Sequence, residues 1–154
     1  MTTIRRARVA EAVLLRELTK CSIAREAERY PEDRIGISEA GLDNLETRYR
    51  LGAVHEDLLT LVADQDGRIV GLLDAEITRD RGLPSVTAEI ADLHLVEDMP
   101  DVAAGLARHA VELLRERGAR VIIHTESADH PEREPWESLG FVPDVVRYSL
   151  YDRP

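Results

Sequence analysis

A long extended segment that runs almost directly into a helix constrains this chain more than any other feature. Thr87 to Val96 reads as a strand, a short acidic stretch follows, and an amphipathic helix covers about Asp101 to Arg117. Leu106, Ala110, Leu113 and Leu114 fall on one face of that helix, and Gly118 supplies its stop. Arg120 to Thr125, with Val121-Ile122-Ile123 at its centre, then reads as a buried strand. Strand, loop, helix and strand in that order gather backbone N–H groups at the helix head, where an anion can sit. Glu89 lies on the first of these strands, within reach of proton-transfer work.

The elements before this unit can be read in the same way. Residues 3–8 form a short first strand pattern. Val9, Ala12, Val13, Leu15, Leu18 and Ile23 recur near helical spacing and predict a helix from about Ala10 to Ala27. Tyr30-Pro31-Glu32-Asp33 breaks it. Ser38 followed by Glu39, with Leu42, Leu45 and Tyr49 on one face, marks a second helix ending near Leu51-Gly52. Leu58 to Ala63 and Arg68 to Ile77 are two strands around a turn that carries Asp66-Gly67, the strongest hairpin signal in the chain. Arg81 to Pro84 is a further turn. Pro131 to Leu139 is a short helix closed by Gly140, and Val145 to Tyr151 is a last strand. The order β–α–α–β–β–β–α–β–α–β predicts a mixed α/β or α+β domain.

Composition narrows the function classes. At 154 residues and 44% hydrophobic, residues 1–154 suffice for one domain with a real core. The net charge of −10 and the lack of a basic stripe argue against nucleic acid as a partner. No window approaches membrane-spanning length and the N-terminus has no signal-peptide core, so the expectation is a soluble, cytoplasmic protein with no membrane partner. Cys21 is the sole cysteine, which excludes an intrachain disulfide, and its apolar neighbours predict a buried, inert thiol. No histidine pair has metal-ligand spacing with a third ligand nearby, so no metal is expected.

Several pieces of the chain together resemble the GNAT superfamily of acyl-CoA-dependent N-acetyltransferases, over essentially the whole length. Ile4-Arg5-Arg6-Ala7 with Glu11-Ala12 is similar to that family's first strand and helix. The Gly67-Arg68-Ile69-Val70-Gly71 hairpin is similar to its second and third strands, and Ala88-Glu89-Ile90-Ala91-Asp92-Leu93-His94-Leu95 to its fourth strand. Trp136-Glu137-Ser138-Leu139-Gly140-Phe141 is similar to a signature that ends a late helix. The resemblance implies a GNAT-like mixed, mostly antiparallel, twisted sheet flanked by helices on both faces. It also implies acetyl-CoA as acyl donor, its pantetheine arm lying between diverging fourth and fifth strands against the backbone of Leu93, His94 and Leu95.

In the family the pyrophosphate rests on amides in a Gln/Arg-x-x-Gly-x-Gly/Ala loop. Val102-Ala103-Ala104-Gly105-Leu106-Ala107 aligns with it, keeping the Gly-x-Ala half and placing valine at the leading polar position. Glu97, Asp98 and Asp101 would repel a pyrophosphate there, with Arg108 one turn in as a partial offset. Asp98 or Asp101 also suits the helix N-cap.

Glu89 matches the family's general base, with ion pairing to an arginine, or plain exposure, as the other readings. Strict alternation places Asp92 on the opposite face, with Ile90 and His94, as a second candidate base. His94 reads as a packed histidine, and His124 as a further candidate contact. Trp136 stands where many relatives carry a tyrosine acid; an indole is a donor only and far too weak an acid for that role, so it is expected to line the cofactor groove. The expected function is transfer of an acetyl group from acetyl-CoA to a small primary amine by direct attack. The alternative is a GNAT-fold binding or regulatory module without catalysis, a homodimer paired through the last strand.

Overall fold

The computed structural model describes residues 1–33, 35–79, 86–125 and 136–142. Among the described residues, five strands form one sheet in the order of the chain: β1 (Thr2–Arg6), β2 (Leu58–Gln65), β3 (Arg68–Thr78), β4 (Val86–Leu95) and β5 (Ala119–His124). β1 to β4 pair antiparallel, while β5 lies parallel to β4. A parallel neighbour needs a crossover, and helix α3 (Pro100–Glu116) supplies it. Helices α1 (Ala12–Arg29) and α2 (Glu39–Gly52) join β1 to β2. The expected mixed, mostly antiparallel sheet with helices on both faces is what the chain forms. The Arg81–Pro84 turn and the Val145–Tyr151 strand lie outside the described residues.

The sequence explains why the elements start and stop where they do. Asp66 and Gly67 both take positive φ, 52° and 88°, as a two-residue hairpin turn of the right hand requires. Ser38 caps α2 by accepting the Gly41 N–H at 3.1 Å. At its other end, Arg6 of β1 donates to the Gly52 carbonyl at 2.9 Å, an acceptor that the helix end leaves open, and to the Leu58 carbonyl of β2 at 3.0 Å. Gly118, at φ 92°, ends α3.

The two faces of the sheet carry different cores. On one, Val102, Leu106, Ala110 and Leu114 of α3 pack on Leu61, Leu73, Ala75 and Ile90. On the other, Leu15 and Leu18 of α1 and Tyr49 of α2 pack on Val62 and Leu72. β3 is central and nearly all buried, as a strand covered on both sides must be. α1 buries Ala12, Leu15, Leu18, Thr19 and Ser22, a stripe that passes Cys21 by. The thiol is therefore exposed, which corrects the expectation of a buried one.

Gly52 marks the closest approach of α2 to the sheet. A Cβ built there would lie 2.0 Å from Thr60 Oγ1 and 3.0 Å from the Thr60 nitrogen. Because backbone as well as side chain stands in the way, Gly52→Ala is expected to destabilise by about 1–3 kcal/mol in urea unfolding. A neutral result would mean that α2 can slide outward without loss.

Candidate active site

Among the described residues, β4 has two neighbours along its first half and one along its second. Its pairing with β5 runs from Val86 to Ile90, where Ile90 meets His124, the last residue of β5. Beyond that point Asp92 to Leu95 continue paired, among the described residues, with β3 alone. The parting coincides with a bulge. Asp74 pairs with Asp92 and Ala75 with Ile90, so Ala91 has no partner on β3.

That extra residue changes which side chains share a face. Glu89 lies opposite Glu76, Asp92 opposite Asp74, and His94 opposite Leu72, all on the side covered by α1 and α2. Strict alternation put Asp92 with Ile90 and apart from Glu89. The bulge reverses this, because inserting one residue into a period of two flips everything after it. Glu89 and Asp92 thus flank Ala91 on one face. Glu89 is exposed. Its neighbour Glu76 is held by Arg48 at 3.0 Å.

Beneath these carboxylates the polar groups are buried and paired. Asp74, with no exposed surface, takes hydrogen bonds from Arg48 Nε and, at 3.0 Å, from the Thr60 hydroxyl. Burial pushes its carboxyl up against the pull of Arg48. His94 is buried, with Nδ1 at 3.2 Å from Ser22 Oγ and Nε2 at 3.9 Å from Asp92, whose side chain is 42% exposed. Burial pulls the His94 imidazole below its usual value, the Asp92 charge opposes that, and Arg25 adds to it. Thr19 and Tyr49 share a buried hydrogen bond of 2.8 Å, and burial pushes the phenol upward.

The backbone of β4 is open toward the gap. The Val96 N–H is bonded to the Val70 carbonyl of β3 at 2.9 Å. Alternation along the strand then turns the N–H and C=O groups of Leu93 and Leu95 away from β3, to the side β5 has left. Arg25 of α1 reaches this strand end and donates to the Leu95 and Val96 carbonyls. A cavity of about 170 Å³ opens there, lined by Ser22, Arg25, Arg29, Leu93, Leu95 and Glu97 among others.

The segment aligned with the phosphate loop is not a loop. α3 begins at Pro100, with Met99 at the N-cap, so neither Asp98 nor Asp101 caps it. The N–H groups of Val102 and Ala103 both bond the Met99 carbonyl at 3.0 Å. Ala104, Gly105, Leu106 and Ala107 follow inside the helix, where their amides belong to its hydrogen-bond ladder. Gly105 faces β1: a Cβ there would lie 2.9 Å from Ile4 Cδ1. Val102, Ala103, Leu106 and Ala107 are buried core residues, and Arg108 is exposed. Amides at Ala103 to Ala107 free to hold an anion are therefore not present, which corrects that reading of the motif.

On the other flank of the gap, Trp136 is buried and stacks on His124 with ring centroids 3.9 Å apart, Phe141 meeting it edge-on at 5.5 Å. His124 Nδ1–H donates to the Ile90 carbonyl at 2.9 Å, which fixes the ring at the point where the strands part. Among the described residues, no group of three His, Cys, Asp or Glu side chains is placed to hold a metal ion. No helix there is long and apolar enough to cross a membrane.

No protein-family model and no curated protein matches the chain. Solved structures do. A transcriptional regulator from Bacillus halodurans superposes with TM-score 0.73 at 19% identity, covering 99% of this chain and 100% of its own. A probable acetyltransferase gives 0.72 at 22% identity, with 99% of each chain covered. An aminoglycoside acetyltransferase from an uncultured soil metagenomic sample, solved with sisomicin, gives 0.68 at 13% identity, with 99% and 97% covered. The chain has the GNAT fold.

Within the GNAT fold, sequence reasoning found the strand but missed the residues that surround it. Ser22, Arg25, Arg29, Arg48 and Asp74 all meet β4 or its neighbour across the sheet. Ser22, Arg25 and Arg29 do share one helical face at i, i+3 and i+7, a spacing that carried a signal had β4 been known to lie beneath it.

The buried His94 generates a stability prediction. Unfolded, the imidazole titrates near about 6.5, and in the fold it titrates lower. Between the two values the unfolded chain binds the extra proton, so stability rises with pH across that window. The contribution of His94 is fully present above about pH 6.5 and is lost as pH falls through the folded value. His94→Gln is expected to flatten this limb of the urea midpoint plotted against pH; a limb unchanged in the variant assigns the proton uptake elsewhere.

Proposed function

We propose that this protein is an N-acetyltransferase that moves an acetyl group from acetyl-CoA to the primary amine of a small molecule by direct attack. The observation that carries the reading is the parting of β4 and β5 after Ile90, beside the bulge at Ala91. It leaves strand-edge donors and acceptors at Leu93 and Leu95 facing a gap. An extended amide-bearing arm fits there by the same hydrogen bonds a further strand would make. The solved neighbours that carry acetyltransferase names, one of them with an aminoglycoside, support acetyl transfer to an amine.

Acetyl-CoA would supply the thioester that the reaction cleaves. The chain's own residues do the rest. Leu93 and Leu95 would hold the pantetheine arm along the strand edge; His94, expected to share this role, has its backbone turned to β3 and its ring buried. Asp92 and Glu89, brought to one face by the bulge, accept the proton that the ammonium must lose before its nitrogen can attack. Trp136 and His124 wall the gap on the β5 side, and the indole donates no proton in the chemistry.

A second reading, a GNAT-fold binding or regulatory module, is favoured by α3: its first turns use their amides internally and begin at Pro100 beside the exposed Glu97 and Asp98. Melting curves separate the two. Acetyl-CoA and CoA are expected to raise the melting temperature in a concentration-dependent way, by about 2.7 kcal/mol of stabilisation at a hundred times Kd. No shift at millimolar nucleotide favours the module. With an amine found by screening for thiol release, the double variant Glu89→Gln, Asp92→Asn is expected to lose about 10²-fold or more in kcat while keeping the nucleotide-induced shift. Unchanged turnover would remove both carboxylates from the base role.

A further inference from the structure

We propose that Arg25 and Arg29 of α1 form the binding site for the phosphates of the acyl donor, taking the place of a cation in the loop before α3. This rests on the acyl-CoA reading above and names the residues that would recognise its charged end.

The loop and helix head offer little to an anion. Pro100 opens α3 without an N–H, and the amides of Val102 and Ala103 are used on Met99. The nearby charges, Glu97, Asp98 and Asp101, are exposed carboxylates. Arg108 is exposed and does not line the cavity at the end of β4.

α1 brings positive charge to that cavity instead. Leu93 and Leu95, whose backbones face the gap, line it, so it continues the path proposed for the pantetheine arm. Arg25 is anchored there by its bonds to the Leu95 and Val96 carbonyls. Those bonds use only part of the guanidinium fork, which carries further N–H groups. Arg29 lines the same cavity one turn later on the helix, its guanidinium 5.3 Å from the centre of the Tyr30 ring.

Glu26, Glu97 and Asp98 line the cavity too and oppose an anion. They also make the arginines necessary, since without them the lining would carry negative charge alone. All three carboxylates are exposed, as are Arg25 and Arg29, so water and salt weaken the long-range field of both signs and leave direct contacts to decide. A forked arginine–phosphate contact is shorter-ranged, directional and about twice as strong as a neutral hydrogen bond.

Calorimetry with CoA and with pantetheine, which shares the arm but has no phosphate, tests this. Arg25→Ala and Arg29→Ala are each expected to weaken CoA about tenfold, as loss of a charged hydrogen bond does, and to leave pantetheine unchanged. Arg25→Lys should fall between, because lysine keeps the charge without the fork. CoA affinity should also become less salt-dependent in the alanine variants. Arg29→Ala tests the charge without touching the Leu95 anchor.

Equal weakening of both ligands in Arg25→Ala, with Arg29→Ala silent, would make Arg25 a brace for the strand end and overturn the phosphate role. So would CoA affinity unaffected in both variants, or wild-type protein binding CoA no better than pantetheine. Either of those leaves the acyl-CoA reading intact. Wild-type protein that binds neither ligand overturns both.

Discussion

The loss of β5 as a partner beyond Ile90 is the constraint on which the rest of this structure depends. A strand inside a sheet satisfies its backbone on both sides, and one whose neighbour departs must find other partners for half its N–H and C=O groups. Among the described residues, the groups left without β5 belong to Leu93 and Leu95, at the level where α1 crosses β4. One of them, the Leu95 carbonyl, is taken by Arg25. The others face the gap. The His124 ring, bonded to the Ile90 carbonyl and stacked on Trp136, holds β5 at the point of parting. The opening thus has fixed edges on both sides.

The two faces of the sheet divide the work that follows. The α3 face is an apolar core, in which small residues such as Ala107 and Ala110 let the helix lie close to the strands. The α1 and α2 face holds the buried polar pairs: Asp74 with Arg48 and Thr60, His94 with Ser22, Thr19 with Tyr49. Among the described residues, no buried side-chain nitrogen or oxygen lacks a partner. Polar groups in low dielectric are costly when unpaired, and when fully paired they fix one arrangement. The bulge at Ala91 directs Glu89 and Asp92 onto this paired, stiff face. A side chain placed there keeps its position relative to the open edge of β4.

Much of the architecture was legible in the sequence because it is written in local chemistry. Asp66-Gly67 dictates its turn through positive φ, Ser38 caps its helix, and Gly118 ends α3 where the apolar period stops. The bulge was not legible. Ile90-Ala91-Asp92 contains no glycine or proline to mark an irregularity, and an insertion of one residue leaves the composition of a strand unchanged. Alternation carried past Ala91 therefore assigned Asp92 to the wrong face. Cys21 failed for a related reason: apolar neighbours in sequence are not neighbours on a helix, and the thiol falls one step outside the buried stripe. Arg25 was hidden because an arginine on a polar helix face looks the same whether it meets water or a carbonyl.

The most instructive residue is Gly105, where a family resemblance and a local structure part company. Glycine in a phosphate loop serves to let backbone approach an anion, and that use requires free amides around it. At Gly105 the amides are inside a helix and the missing side chain makes room for Ile4 of β1. The same residue type at the same aligned position thus meets a packing requirement rather than a binding one. A helix that starts early, at Pro100, turns its first amides inward and buries the Gly-x-Ala segment against the sheet. Any anion at this end of the groove must then be met by side chains, and α1 is the element whose arginines reach the end of β4.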